Sequence, residues 1–175
     1  MNLHTIYLAG GCYWGVEKYM QHIPGVAETE VGFANGNTHH PTYQQVRYEN
    51  TGHAETVRVV YDADTVPLDK LLRLFFRIID PVSVDRQGED VGHQYRTGVY
   101  ITYCRDESII RIELAKLEKL QKQFDQPLAV EACALEHFYS AEEYHQKYLD
   151  KNLTGYCHVP WAVINAVKDV KMEEV

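Results

Sequence analysis

Leu68, Leu71, Leu72, Phe75, Phe76 and Ile79 fall at i, i+3, i+4, i+7, i+8 and i+11, a spacing that lines one face of an α-helix. This periodicity is the clearest in the chain and predicts a helix over those residues. A longer amphipathic helix is predicted from Ile110, Leu114, Leu117, Leu120 and Phe124, taken as its inner side. Shorter apolar runs read as strands: Ile6 to Ala9, ending at Gly10-Gly11; Val26 to Phe33; Thr56 to Tyr61; Gly98 to Tyr103; and Leu128 to Leu135. A helix is expected between the first two, opening at Cys12 or Tyr13 and closing before Pro24-Gly25. Asn35 to Pro41 reads as a polar loop, and Asp80 to Thr97 as a long irregular one. Ser140-Ala141-Glu142-Glu143 fits a capping box and predicts a last helix there. Beyond Asn152 periodicity is weak until the apolar stretch from Trp161 to Val167.

The expected order is β-α-β-β-α-β-α-β-α, whose first six elements match the split βαβ unit of ferredoxin-like folds. The predicted class is α+β: a two-layer sandwich with a ferredoxin-like βαββαβ core, added helices, and an irregular C-terminal tail from about residue 152. No repeat, low-complexity tract or Gly/Ser linker divides the 175 residues, so one domain, 1–175, is expected.

Composition narrows the functional classes. Asp and Glu number 25 against 17 Lys and Arg, a net charge of -8 with no basic cluster to offset it, which disfavours nucleic acid as a partner. No run of about 18 apolar residues could span a membrane. Met1-Asn2-Leu3-His4-Thr5 lacks the charged and long apolar regions of a signal peptide, so a cytoplasmic location is expected. The four cysteines, at 12, 104, 133 and 157, form no C-x-x-C pair. They read as free thiols in a reducing compartment rather than a disulfide framework or zinc knuckle.

Cys12 lies where a buried strand gives way to a helix, flanked by Gly10-Gly11 and Gly15 and followed by Tyr13-Trp14. Free backbone N–H groups and the helix dipole favour a thiolate there. The glycines admit a close approach, and the aromatics can wall an apolar pocket. The alternative is a small buried hydrophobe in a tight turn. Glu55, in Gly52-His53-Ala54-Glu55, opens an apolar strand. It is either a solvated strand end or, against apolar walls, a carboxyl with a raised pKa able to act as general acid. The His-x-Glu triplet also occurs in zinc deaminases, but the P-C-x-x-C those enzymes need is absent. Gln87 to Arg96 sits in the longest irregular stretch, where its polar groups can line a site or merely meet solvent. The nine histidines show no H-x-x-x-H or H-E-x-x-H pairing, so no metal site is expected.

Taken together, these segments resemble the class A peptide methionine sulfoxide reductases over nearly the whole chain. The family's G-C-F-W-G loop is read here as Gly11-Cys12-Tyr13-Trp14-Gly15. Pro41-Thr42-Tyr43, Gly52-His53-Ala54-Glu55 and Asp90-Val91-Gly92-His93-Gln94-Tyr95-Arg96 follow in order. Ala141-Glu142-Glu143-Tyr144-His145-Gln146 and Gly155-Tyr156-Cys157 complete the set. The resemblance implies that Cys12 attacks the sulfoxide sulfur and is left as a sulfenic acid. It implies that Tyr13 and Trp14 hold the terminal methyl group, that Glu55 with Tyr43 and Tyr95 binds and protonates the sulfoxide oxygen, and that Asp90 supports the substrate site. Cys157 then forms a disulfide with Cys12, which thioredoxin (or dithiothreitol) reduces, with no metal or organic cofactor. The S epimer of methionine sulfoxide, free or in oxidised proteins, is the implied substrate.

Two departures stand out. Tyr13 replaces the usual phenylalanine, and no cysteine follows Cys157, so thioredoxin must act on the Cys12–Cys157 pair directly. Cys104 and Cys133 match no family role and read as packed, inert thiols. The competing readings are a thiol hydrolase or acyltransferase using Cys12 with a histidine base, and a non-catalytic module that binds oxidised methionine.

Overall fold

Strand β1 (Leu3–Gly10) alternates Ile6 and Leu8 with Tyr7 and Ala9, so its two faces serve two different layers. Ile6 and Leu8 are fully buried in the main core, whereas Ala9 joins Ala34, Ala54 and Tyr100 in a smaller cluster. The computed structural model describes residues 1–175, apart from the side chain of Phe124, so that expected inner-face residue lies outside the described side chains.

Helix α1 (Tyr13–Gln21) returns the chain to β2 (Val26–Ala34), and the short α2 (Tyr43–Tyr48) precedes β3 (Ala54–Asp62). Helix α3 (Leu68–Phe76) leads to a small hairpin, β4 (Arg86–Gln87) and β5 (Asp90–Val91), and then to β6 (Thr97–Ile101). Helix α4 (Cys104–Gln121), β7 (Glu131–Ala134), β8 (Phe138–Ser140), α5 (Tyr148–Lys151) and α6 (Trp161–Ala166) complete the chain. Six strands make one sheet in the order β7-β6-β1-β3-β2-β8. Every pairing is antiparallel except β6 with β7, which α4 joins as a crossover. The fold is α+β.

Val57 and Val59 face Leu8 and Ile6 across the β1–β3 ladder, and Phe33 stands opposite Glu55 across the β2–β3 ladder. Because side chains alternate along a strand, Glu55 shares the face of Val57, Val59 and Tyr61. All three are fully buried in the main core with Val16, Tyr19 and Met20 of α1 and Leu71, Leu72 and Phe75 of α3. The acid therefore enters the core layer instead of meeting solvent.

Several expectations fail for identifiable reasons. Helix α2 is unannounced by hydrophobic pattern, since only Val46 of its residues is buried; a capping box between Thr42 and Gln45 holds its start. Ser140 fits the same pattern but lies in β8, because the following chain completes the edge of β2 instead of starting a helix. Ala141 N–H donates to the Val31 carbonyl at 3.0 Å. Gln146 accepts from Val31 N–H at 2.9 Å and donates to its carbonyl at 2.8 Å. Helix α3 stops short of Ile79, its end tightened by Arg77 and Ile78 donating three residues back. Leu120 is 58% exposed, so the inner side of α4 is narrower than its leucines suggest. The tail is better packed than its weak pattern implies: Val159, Ile164 and Val167 all belong to the main core.

Candidate active site

Gly11 carries φ +86°, and a Cβ there would stand 2.6 Å from the side chain of Gln87. Glycine is thus required for the turn itself and for the approach of the long loop. Gln87 is buried, accepting from Asp80 N–H and donating to the Asp80 carbonyl, each at 2.8 Å. It pins that loop beside the end of β1, where Asp90 and Tyr95 follow. His93 is turned away onto Asp85 at 3.0 Å, and Arg96 onto Glu131 at 3.2 Å. Of the loop's polar groups, which could line a site or merely meet solvent, Asp90 and Tyr95 lie towards Cys12 and Glu55.

Cys12 is the N-cap residue of α1 and 7% exposed. The backbone N–H groups of Trp14 and Gly15 pull the thiol pKa down, as the sequence suggests, while the sulfur itself makes no capping hydrogen bond. They do not win. Burial and the neighbouring Glu55 charge push the Cys12 thiol well above its ordinary pKa, against the expected lowering. The helix start does not outweigh them, and the sulfur stays protonated while the site is at rest.

Glu55 is 2% exposed and accepts a hydrogen bond from Tyr13 N–H at 3.2 Å. Burial pushes its pKa up to about 8, opposed by that single N–H and raised further by the charge of Asp90. Of its two alternatives, the solvated strand end is excluded. At neutral pH the carboxyl is mostly protonated and can donate.

Aromatic rings enclose this pair. Tyr13 is fully buried between Phe33 and His145, with ring centroids 5.7 and 5.8 Å away. Trp14, partly buried, stacks on Tyr148 at 3.7 Å and 12°, and on His145 at 5.7 Å. Tyr43 lies 4.5 Å from the same His145 ring and accepts from Arg47 at 3.2 Å. Burial and the charge of Glu55 raise the pKa of both Tyr43 and Tyr95, so the two phenols stay protonated beside the acid. Tyr156 donates to Asp90 at 2.9 Å. Cys12, Glu55, Tyr43, Tyr95 and Asp90, the residues that the resemblance implies for one site, therefore lie in one electrostatic neighbourhood.

The C-terminal segment closes over the first turn of α1. Cys157 is partly buried, burial raises its pKa, and its thiol donates to the Val159 carbonyl at 3.1 Å. A Cβ built on Gly15 would lie 3.2 Å from Cys157 Sγ, so glycine there gives the second thiol room beside the nucleophile loop. All four cysteines are free. Cys104 and Cys133 are exposed, which corrects their reading as packed thiols. Cys133 sits in β7 near the Asn35 amide and Cys104 at the start of α4, both outside this constellation. His145 and Tyr156 lie in blocks that carry the family resemblance without an implied role, and Tyr148 and Arg47 lie in none; all four pack around this constellation. Among the described residues no group of three or more His, Cys, Asp or Glu side chains is arranged to hold a metal.

A family model for peptide methionine sulfoxide reductase matches residues 4–174. The chain belongs to that family. Its relatives include a peptide methionine sulfoxide reductase MsrA of Lachnoclostridium phytofermentans, 54% identical over 94% of this chain and 98% of the relative. Another, from Clostridium acetobutylicum, is 48% identical over 90% and 96%. Among solved structures, methionine sulfoxide reductase A of Corynebacterium diphtheriae superposes with a TM-score of 0.85 at 36% identity, covering 89% of this chain and 78% of that one. The reduced form of Mxr1 from Saccharomyces cerevisiae gives 0.80 at 34% identity, covering 89% of each. Family membership gives the reaction class, peptide methionine sulfoxide reduction.

Proposed function

We propose that this reductase acts on methionine S-sulfoxide, free or in proteins, with Cys12 as nucleophile, Glu55 as proton donor and Cys157 as resolving thiol. The observation that carries it is the Glu55 carboxyl, buried in the main core beside Cys12, anchored by Tyr13 N–H and mostly protonated at pH 7. A sulfoxide oxygen leaves only once protonated, so the acid must face the attacking sulfur. Cys12 sulfur attacks the substrate sulfur as the oxygen takes the Glu55 proton. With the thiol proton also taken up, the oxygen leaves as water and an S–S bond joins Cys12 to the substrate sulfur. That water then attacks the Cys12 sulfur, the S–S bond breaks, methionine departs with its electron pair, and Cys12 is left as a sulfenic acid. The proton lost by that water as it attacks restores Glu55. Tyr43 and Tyr95 are assigned to hold the oxygen, Tyr13 and Trp14 to the methyl group, and Asp90 to polar support with Tyr156. Cys157 then displaces the hydroxyl of the sulfenic acid, releasing water and leaving a Cys12–Cys157 disulfide.

Thioredoxin is the proposed reductant of that disulfide, with dithiothreitol as its substitute in an assay, and no cofactor takes part. The reducing cytoplasm is the matching location for four free thiols. The chain is read as one domain, 1–175, consistent with one family model spanning residues 4–174. A ferredoxin-like, two-layer core is supported by the antiparallel order β6-β1-β3-β2, with α1 and α3 in the connections.

A turnover assay with both epimers of a methionine sulfoxide derivative and dithiothreitol tests the proposal. Methionine from the S epimer alone is the expected result, and turnover of the R epimer instead overturns it. The hydrolase reading needs a histidine base on Cys12, yet His145 and His158, the site's histidines, face ring neighbours and the Gly10 carbonyl.

A further inference from the structure

His158 is the one strongly placed group of the C-terminal segment that the reaction above leaves without a role. Its Nε2–H donates to the carbonyl of Gly10 at 3.1 Å, across 148 residues of chain. That carbonyl closes β1, two residues before Cys12. The imidazole lies against the nucleophile loop on two sides. A Cβ on Gly15 would stand 3.0 Å from His158 Nδ1, and one on Gly11 3.4 Å from Nε2. Nδ1 itself is buried without a hydrogen-bond partner. The ring has thus given up solvation on one nitrogen to hold a bond through the other, which a solvent-facing tail histidine would not do.

Tyr156 donates to Asp90 at 2.9 Å on the other side of Cys157. The second thiol is therefore tied at both neighbours, once to the substrate side and once to the loop that carries Cys12.

We infer that His158 is a positioning residue of the resolving step: its imidazole hooks the C-terminal segment to the Gly10 carbonyl and holds Cys157 within reach of the Cys12 sulfenic acid. A disulfide requires Cβ atoms about 3.5–4.5 Å apart and a narrow dihedral, so a loosely held tail samples the reactive geometry rarely. A hook that restricts the search raises the effective concentration of the thiol without touching the chemistry. In the step itself, the Cys157 sulfur bonds to the Cys12 sulfur, the S–O bond breaks, and the hydroxyl leaves as water with the Cys157 proton. His158 is neither oxidised nor reduced. The inference rests on the resolving role proposed for Cys157.

The test separates the two steps. One equivalent of methionine S-sulfoxide is mixed with reduced enzyme without any external reductant. Methionine release is followed alongside loss of free thiols, and the disulfide is located by peptide mass spectrometry. His158→Phe keeps a ring over Gly15 but loses the donor. Its disulfide formation is expected to slow about tenfold, the effect of losing one buried hydrogen bond and leaving its acceptor bare. Methionine release should change by less than about twofold, because the lost interaction belongs to the second step only. A thiol-specific trap should then capture the lingering Cys12 sulfenic acid. His158→Gln, whose amide N–H can reach the Gly10 carbonyl, should restore most of the resolving rate. Parental disulfide formation in His158→Phe overturns the inference, as does a His158→Gln variant as slow as His158→Phe. Equal slowing of both steps also overturns it, since that marks a general structural role. If the parent enzyme releases methionine but never joins Cys12 to Cys157, the resolving assignment falls, and the hook with it.

Discussion

Replacing Glu55 by glutamine removes one transferable proton and little else. The amide keeps the carboxyl's shape, and its oxygen can still accept from Tyr13 N–H, now 3.2 Å from Oε1. With a pKa near 8, about nine in ten Glu55 carboxyls carry a proton at pH 7; at the ordinary 4.5, about three in a thousand would. Burial thus increases the supply of acid about 300-fold. Loss of a general acid costs about 10²–10⁴-fold, so Glu55→Gln should slow single-turnover methionine release by that factor while substrate affinity changes little. The parent rate should fall as pH rises through about 8, and this limb should vanish in the variant.

Stability supplies an independent readout. A carboxyl whose folded pKa lies above its unfolded value binds its proton more tightly when folded. Stability is therefore fully kept below about 4.5 and lost as pH rises to about 8. Each tenfold change in protonation is worth about 1.36 kcal/mol, making the total on the order of 5 kcal/mol. Chemical denaturation across that range should show the decline in the parent and not in Glu55→Gln. A glutamine variant that reduces sulfoxide at nearly the parental rate refutes the assignment and moves proton donation to Tyr43, Tyr95 or water.

Three further outcomes are expected. Cys12→Ser should fold normally by circular dichroism yet release no methionine, and appreciable remaining turnover would show that another group is the nucleophile. Cys157→Ser should release about one methionine per enzyme and then stall with thioredoxin; normal cycling would hand the resolving role to Cys104 or Cys133, whose exposure leaves them accessible. Gly15→Ala would place a methyl 3.2 Å from Cys157 Sγ and 3.0 Å from His158 Nδ1, so disulfide formation should slow more than methionine release. An unchanged ratio of those two rates would mean that the C-terminal segment is not docked there in solution.

The parts legible in the sequence are those fixed by local period. The leucines and phenylalanines of α3 and the valines of β3 find their faces without help from elsewhere in the chain. Period two also explains Glu55: being two residues from Val57, it had to enter the core if the valines did. What stayed illegible depends on distant partners. Thr42 and Ser140 each begin a capping-box string, and only the first caps a helix, because the edge of β2 takes the chain after Ser140 through Gln146. His145 packs against Tyr13, Trp14 and Tyr43 from more than a hundred residues away, and the block around it carries the family resemblance without marking it as a hub. The Cys12 pKa failed in the same way. Its local surroundings, a helix start with free N–H groups, point down; its distant ones, burial and Glu55, point up and prevail.

That reversal bears on how the site avoids harming itself. A low-pKa thiolate at the surface reacts with whatever oxidant arrives, climbing from sulfenic to sulfinic acid. Cys12 is instead buried and protonated at rest, beside an acid that is also protonated. Two protonated groups buried side by side give neither a free nucleophile nor a charge. In the proposed mechanism a sulfoxide changes this, because its oxygen accepts the Glu55 proton as its sulfur meets Cys12. Proton transfer to oxygen and loss of the thiol proton then offset one another, and no net charge has to be created in the pocket. A peroxide entering the same space would lack the methyl group that Trp14 and Tyr13 are proposed to hold. On that proposal reactivity is tied to the substrate that completes the proton path, and the raised thiol pKa contributes to the selectivity.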